Sequence, residues 1–163
     1  MNPGTGSASI DAYRIEKERL EVTVTLVGQV ELHGYIFLQP KVYGYAGHSE
    51  PAALFNDREL FFPLELDGGE MLLLSKARVT DISGLPLADE DELVRASSPM
   101  ALVEVTMAGG LTRLGSMRLE VRADRPRLLD YLNDIHQRFL MLYSDNGVRL
   151  VNRKLIERVR PLD

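Results

Sequence analysis

The feature that most constrains this chain is an internal repeat. The segment LFNDRELFFPLELDGGEMLLLSKARVTDI, from Leu54 to Ile82, aligns without gaps to YLNDIHQRFLMLYSDNGVRLVNRKLIERV, from Tyr131 to Val159, at an offset of 77 positions. Asn56-Asp57 falls on Asn133-Asp134, Phe62 on Phe139 and Leu73 on Leu150. Strict identities are few. What repeats is an order: an Asn-Asp turn, an apolar strand, a glycine-containing turn, an apolar strand, a basic turn and a final strand. A chain built this way folds as one small unit used twice.

The residues before each repeated segment fit the same plan. Leu20, Val22, Val24 and Leu26 alternate with Glu21, Thr23 and Thr25, a period of two rich in β-branched residues that predicts a half-buried strand. Gly28 marks a turn, and Val30 to Leu38 return as a second strand closed by Pro40. In the second copy Val103-Glu104-Val105-Thr106 takes the place of Leu20-Glu21-Val22-Thr23. Gly109-Gly110 marks its turn, and Met117, Leu119 and Val121 alternate as the returning strand. Here the offset is 83, so the first copy is 6 residues longer between its second strand and the shared segment. The extra length falls in the loop carrying Tyr43, Tyr45 and His48, where insertions are tolerated.

The expected organisation is therefore an N-terminal arm (1–13), a first unit (14–83), an acidic connector (84–99) holding Asp89, Glu90, Asp91 and Glu92, and a second unit (100–163). The predicted fold class is all-β. Each unit has about five short strands with a tight turn before the last, Ser75-Lys76-Ala77-Arg78 and Asn152-Arg153-Lys154-Leu155. This pattern resembles the Sm-like and SH3-like small barrels. The resemblance implies two tandem five-stranded barrels, and units of about 65 residues bury too little surface to stand alone, so the two should pack into one body.

The Sm-like resemblance also implies an alternative function, RNA or nucleotide binding, which the residues fit poorly. The turn before the last strand lacks the glycine of the Ile-Arg-Gly-like motif of that family: Leu74-Ser75-Lys76 and Val151-Asn152-Arg153-Lys154 stand there instead. Residues 1–84 carry 7 Lys and Arg against 12 Asp and Glu, a balance that repels phosphate, whereas residues 85–163 carry 12 of each. A second motif, Asp-x-Ser-x-x-Gly of the PilZ cyclic-dinucleotide receptors, is matched only faintly by Asp81-Ile82-Ser83-Gly84. Its glycine comes early and the preceding arginine motif is missing.

Signatures of catalysis or metal binding are absent from the sequence. There is no cysteine, which rules out disulfides, thiolate nucleophiles and cysteine zinc sites. His33, His48 and His136 lie in three different elements without ligand spacing. Asp57 and Asp134 repeat at one turn, as expected of side chains that cap backbone N–H groups. No cofactor is expected. An apolar fraction of 45% and a charged fraction of 26% suit a globular chain, and no apolar run approaches the roughly 20 residues of a membrane span. With no secretory pattern at the N-terminus, a cytoplasmic location is expected.

The expected function is then a non-catalytic accessory or scaffolding subunit that binds and stabilises a larger protein assembly, with no nucleic-acid partner. Two surface groups are candidates for partner binding. Tyr43, Tyr45 and His48 place amphipathic aromatics on the loop that only the first copy carries. Arg118, Arg122, Arg125 and Arg127 form a basic run in the second copy, suited to an acidic protein face or to anionic head groups. The polar N-terminal arm is a third contact, of the kind that orders on a partner. In overall character the chain resembles the peripheral cytoplasmic subunits that stabilise bacterial photosynthetic reaction-centre complexes. That resemblance implies contacts with membrane-protein subunits at the inner membrane and no bound pigment.

Overall fold

A computed structural model describes residues 18–38, 51–87, 96–119 and 127–162. The first unit comprises β1 (Glu18–Leu26), β2 (Val30–Leu38), the short helix α1 (Pro51–Asn56), β3 (Phe61–Leu66), β4 (Met71–Ser75) and β5 (Val79–Leu85). The second comprises β6 (Met100–Met107), β7 (Thr112–Arg118), α2 (Leu128–Asp134), β8 (Phe139–Ser144), β9 (Gly147–Asn152) and β10 (Ile156–Pro161). A single 3-10 turn, at Lys76–Arg78 or Arg153–Leu155, precedes the last strand of each. The two units match in element order, but their first hairpins correspond at an offset of 81, not 83. The Gln29 N–H donates to the Leu26 carbonyl as the Gly110 N–H donates to that of Met107, so Val103 takes the place of Val22 and not of Leu20. The returning strand of the second unit starts earlier than its alternation suggested: it spans Thr112–Arg118, Leu119 is buried just past its end, and Val121 lies outside the described residues.

The fold is all-β, but the strands do not close into two barrels. They form one antiparallel sheet in the order β10-β6-β7-β8-β9-β5-β1-β2-β3-β4. Each unit contributes five neighbours arranged alike, last strand first. Closing the first unit would require β4 to meet β5. The outer edge of β5 is instead occupied by β9, with Asp81 opposite Val151, Ile82 opposite Leu150 and Leu85 opposite Val148. The strand that would have sealed one barrel thus joins the two units, and β4 and β10 become the ends of the sheet.

Hairpin registers correct the gapless alignment. Phe62 pairs with Leu74 in β3–β4, whereas Leu140 pairs with Val151 in β8–β9. Likewise the Lys76 N–H donates to the Leu60 carbonyl, and the Arg153 N–H to that of Arg138. The offset of 77 therefore holds from β4 onward, while β3 maps on β8 at 78. The second unit lacks one residue of the turn between the paired strands. Because side chains alternate along a strand, this single residue decides which side chains share a face.

With the register set, the burial pattern is coherent. The second unit has its own core of Val103, Val105, Met107, Met117, Leu140, Leu142 and Val151. The core of the first contains Val22, Val24, Ile36, Phe55, Phe62, Leu64, Val79 and Ile82, and is completed by Phe139, Tyr143, Val148 and Leu150 of the second. Phe55 sits edge-on to both Phe62 and Phe139, with ring centroids 4.9 and 5.7 Å away. The β8–β9 hairpin is consequently apolar on both faces, one turned to each unit.

Candidate protein-docking surface

The outer face of β8–β9 is carried by Phe139, Met141, Tyr143, Val148 and Leu150. At the corrected register the corresponding face of β3–β4 is carried by Phe61, Pro63, Glu65, Met71 and Leu73. These two equivalent faces have opposite fates. Leu150 is 0% exposed and Leu73 72%; Phe139 is 0% exposed and Phe61 58%. Met71 is also half in solvent at 49%, and Leu60 lies exposed at the base of the hairpin. An apolar cluster of this kind, gathered rather than scattered, is the usual mark of a contact surface. Its rim is charged, with Glu65 held by Arg19 at 2.9 Å.

Among the described residues no strand pairs with the outer side of β4, so backbone geometry adds an open edge to the apolar face. Pro63 has no N–H, so Leu73 opposite it exchanges no pair of bonds with β3. Inward bonds at Glu70 and Lys76 set the same parity. The N–H and C=O groups of Met71, Leu73 and Ser75 accordingly point away from β3, along the end of the sheet. The same groups in the second unit, at Val148 and Leu150, face β5. β4 carries no charged residue and no proline. At the other end of the sheet, β10 exposes Glu157, Arg158 and Arg160 and finishes at Pro161, the devices by which edge strands are kept from pairing.

The sequence-derived candidates are distributed differently. Arg118 and Arg127 are exposed and line one concavity of about 690 Å³ beside the unit junction, together with Asp130, Tyr131, Asp134 and His136. The two described members of the run thus share one surface, and the carboxylates of Asp130 and Asp134 share it with them. Arg122 and Arg125 lie outside the described residues, as do Tyr43, Tyr45, His48, the N-terminal arm and the acidic cluster of the connector.

Asp57 caps the backbone as its position suggested, its Oδ1 accepting the Glu59 N–H at 2.8 Å. The same oxygen accepts from the Lys76 ammonium at 2.6 Å, which also donates to the Leu54 carbonyl at 2.7 Å. Lys76 is a fully buried cation whose charge is met at the surface by Asp57. Nδ1 of His33 lies 2.9 Å from the Thr23 hydroxyl on the neighbouring strand. Among the described residues there is no group of three or more His, Asp or Glu placed to hold a metal ion, and no helix long and apolar enough to cross a membrane.

Sequence reasoning missed the β3–β4 face, although a signal was present. Phe61-Phe62 and Met71-Leu72-Leu73-Leu74 are unbroken apolar runs, which a strand needs only when both of its faces are covered. No family model, no curated protein and no solved structure matches the chain.

Proposed function

We propose that the chain is a non-catalytic scaffolding subunit that works by protein–protein pairing at the β3–β4 hairpin. One observation carries this reading: Phe61, Met71 and Leu73 are exposed, while the residues in the same places of the second unit are buried. Full burial of a Leu or Phe side chain stabilises by roughly 1.5 to 3 kcal/mol. A partner seated on the hairpin would recover that contribution several times over, and would also satisfy the backbone groups of the β4 edge. The surface has an apolar centre and a charged rim, as protein interfaces do.

The test is affinity purification of the tagged chain from its native source, from both the soluble fraction and detergent-solubilised membranes, alongside Leu73→Lys. The wild-type chain is expected to bring down a stoichiometric protein partner that Leu73→Lys has lost. Recovery in the membrane fraction would place the assembly at a membrane, and sequencing of reaction-centre subunits among the copurified proteins would identify it as a complex of that kind. Retention of every partner by Leu73→Lys would overturn the reading.

A further inference from the structure

We infer that the partner at β4 is a second copy of this chain, paired antiparallel across a two-fold axis at Leu73. The inference rests on the docking role of the hairpin and names its occupant.

Three features carry it. First, the outward backbone groups of Met71, Leu73 and Ser75 are symmetric about Leu73, so a two-fold axis there uses the whole of β4 from both chains. Leu73 then faces Leu73 of the other copy, Leu72 faces Leu74, and Met71 faces Ser75. Second, the charges flanking the strand are complementary under this operation. The turn before β4 exposes Asp67 and Glu70, and the turn after it exposes Arg78. Antiparallel self-pairing sets each acidic turn beside the basic turn of the other copy, twice over. Parallel pairing would set like against like.

Third, the structure already contains the apolar half of such a contact. The equivalent edge, β9, is covered by an antiparallel strand, and its outer face is buried in an apolar core. A head-to-tail repetition of that junction would bring β10 of one copy to β4 of the next. β10 is unfit for this role. Arg158 stands where Asp81 stands in β5, and Pro161 takes the place of Gly84, whose φ of +89° accommodates the bulge between Ile82 and Leu85. With one end of the sheet guarded and the other open, pairing stops at two copies, as an isologous two-fold contact requires.

The absence of cysteine makes the test direct. Antiparallel residues that exchange both backbone bonds have Cα atoms about 5.5 Å apart, within the span of a disulfide. The purified full-length chain is expected to be a dimer by light scattering, and Leu73→Cys to form a disulfide-linked dimer under mild oxidation. A mixture of Met71→Cys and Ser75→Cys should give the mixed disulfide in preference to either homodimer. Leu73→Lys should be monomeric at every concentration at which the wild type is dimeric, with an unchanged circular dichroism spectrum.

A wild-type chain that stays monomeric overturns the inference, as does a dimer that survives Leu73→Lys. Preferential linkage in a mixture of Leu73→Cys and Val159→Cys chains overturns it in favour of head-to-tail pairing. Should the purified chain be monomeric while Leu73→Lys loses a different protein from the native preparation, the inference fails and the docking role of the hairpin stands.

Discussion

The Asn56 side chain holds both backbone groups of Phe139 across the unit junction. Its Oδ1 accepts the Phe139 N–H at 2.7 Å, and its Nδ2 donates to the Phe139 carbonyl at 3.1 Å. A carboxamide at the end of α1 thereby acts as one rung of a β-ladder, closing the part of β8 that β7 does not reach; β7 and β8 pair only at Ser116 and Tyr143. Asn56→Ala should leave a buried amide unsatisfied and destabilise by about 2 kcal/mol. Asn56→Asp should also destabilise, because a carboxylate accepts the N–H but cannot donate to the carbonyl. Urea unfolding of the two variants checks both expectations.

Asp81 is the charged counterpart of that contact. It is fully buried, and its Oδ2 accepts from Arg113 Nε and, at 2.7 Å, from Arg149 Nη1. One carboxylate of the first unit thus holds arginines from two strands of the second, Arg113 of β7 and Arg149 of β9. Removing one partner of a buried ion pair costs about 3 to 5 kcal/mol, and here the lower end applies, since Arg113 and Arg149 remain 17% and 31% exposed and can regain water. Asp81→Asn should lower the melting temperature accordingly. Added salt should leave the difference largely intact, because screening acts weakly on buried charges.

Gly147 and Gly68 both lie at hairpin turns, yet they should respond in opposite ways to alanine. Gly147 has φ +133°, and a Cβ there would run into the Leu85 carbonyl across the junction. Gly68 has nothing within 4 Å of the same position and no positive φ. Gly147→Ala should cost about 2 kcal/mol or more through strain and lost approach of β9 to β5, and Gly68→Ala should fall within about 0.5 kcal/mol of wild type. Thermal unfolding of the pair distinguishes a glycine required by the junction from one that its turn does not require.

Strands and turns were legible in the sequence because their determinants are local: the alternation of Leu20 to Leu26, the glycines at 28 and 109, and the paired basic turns after Ser75 and Asn152. The joining of the units was not legible, because it depends on non-local pairing. Nothing in Asp81 or Val151 taken alone specifies that they lie opposite one another. The missing turn residue was hidden for a related reason. The apolar runs on both sides of the turn stay apolar when shifted by one, so the alignment tolerates an error that the pleat does not. Arg118 and Arg127 lie exposed, and the carboxylates of Asp130 and Asp134 that share their concavity are brought there by α2, a proximity that the arginines' own stretch of sequence does not specify.

Leu73 and Leu150 give the sharpest contrast between the copies, because one position in the repeat has two environments. Leu150 lies opposite Ile82 at the junction, 0% exposed, in the core of the first unit. Leu150→Lys would bury a cation with no carboxylate partner, or force β9 away from β5. Either outcome places it among the most damaging substitutions, at about 4 kcal/mol or more, and it should abolish a single cooperative unfolding transition by parting the units. Leu73→Lys adds the same charge at the same place in the other hairpin, in a side chain already 72% exposed. For the isolated fold its cost should be within about 0.5 kcal/mol. Urea unfolding at low protein concentration, where no dimer contributes, measures both. Near-equal losses would mean that the β3–β4 face is covered from within the same chain.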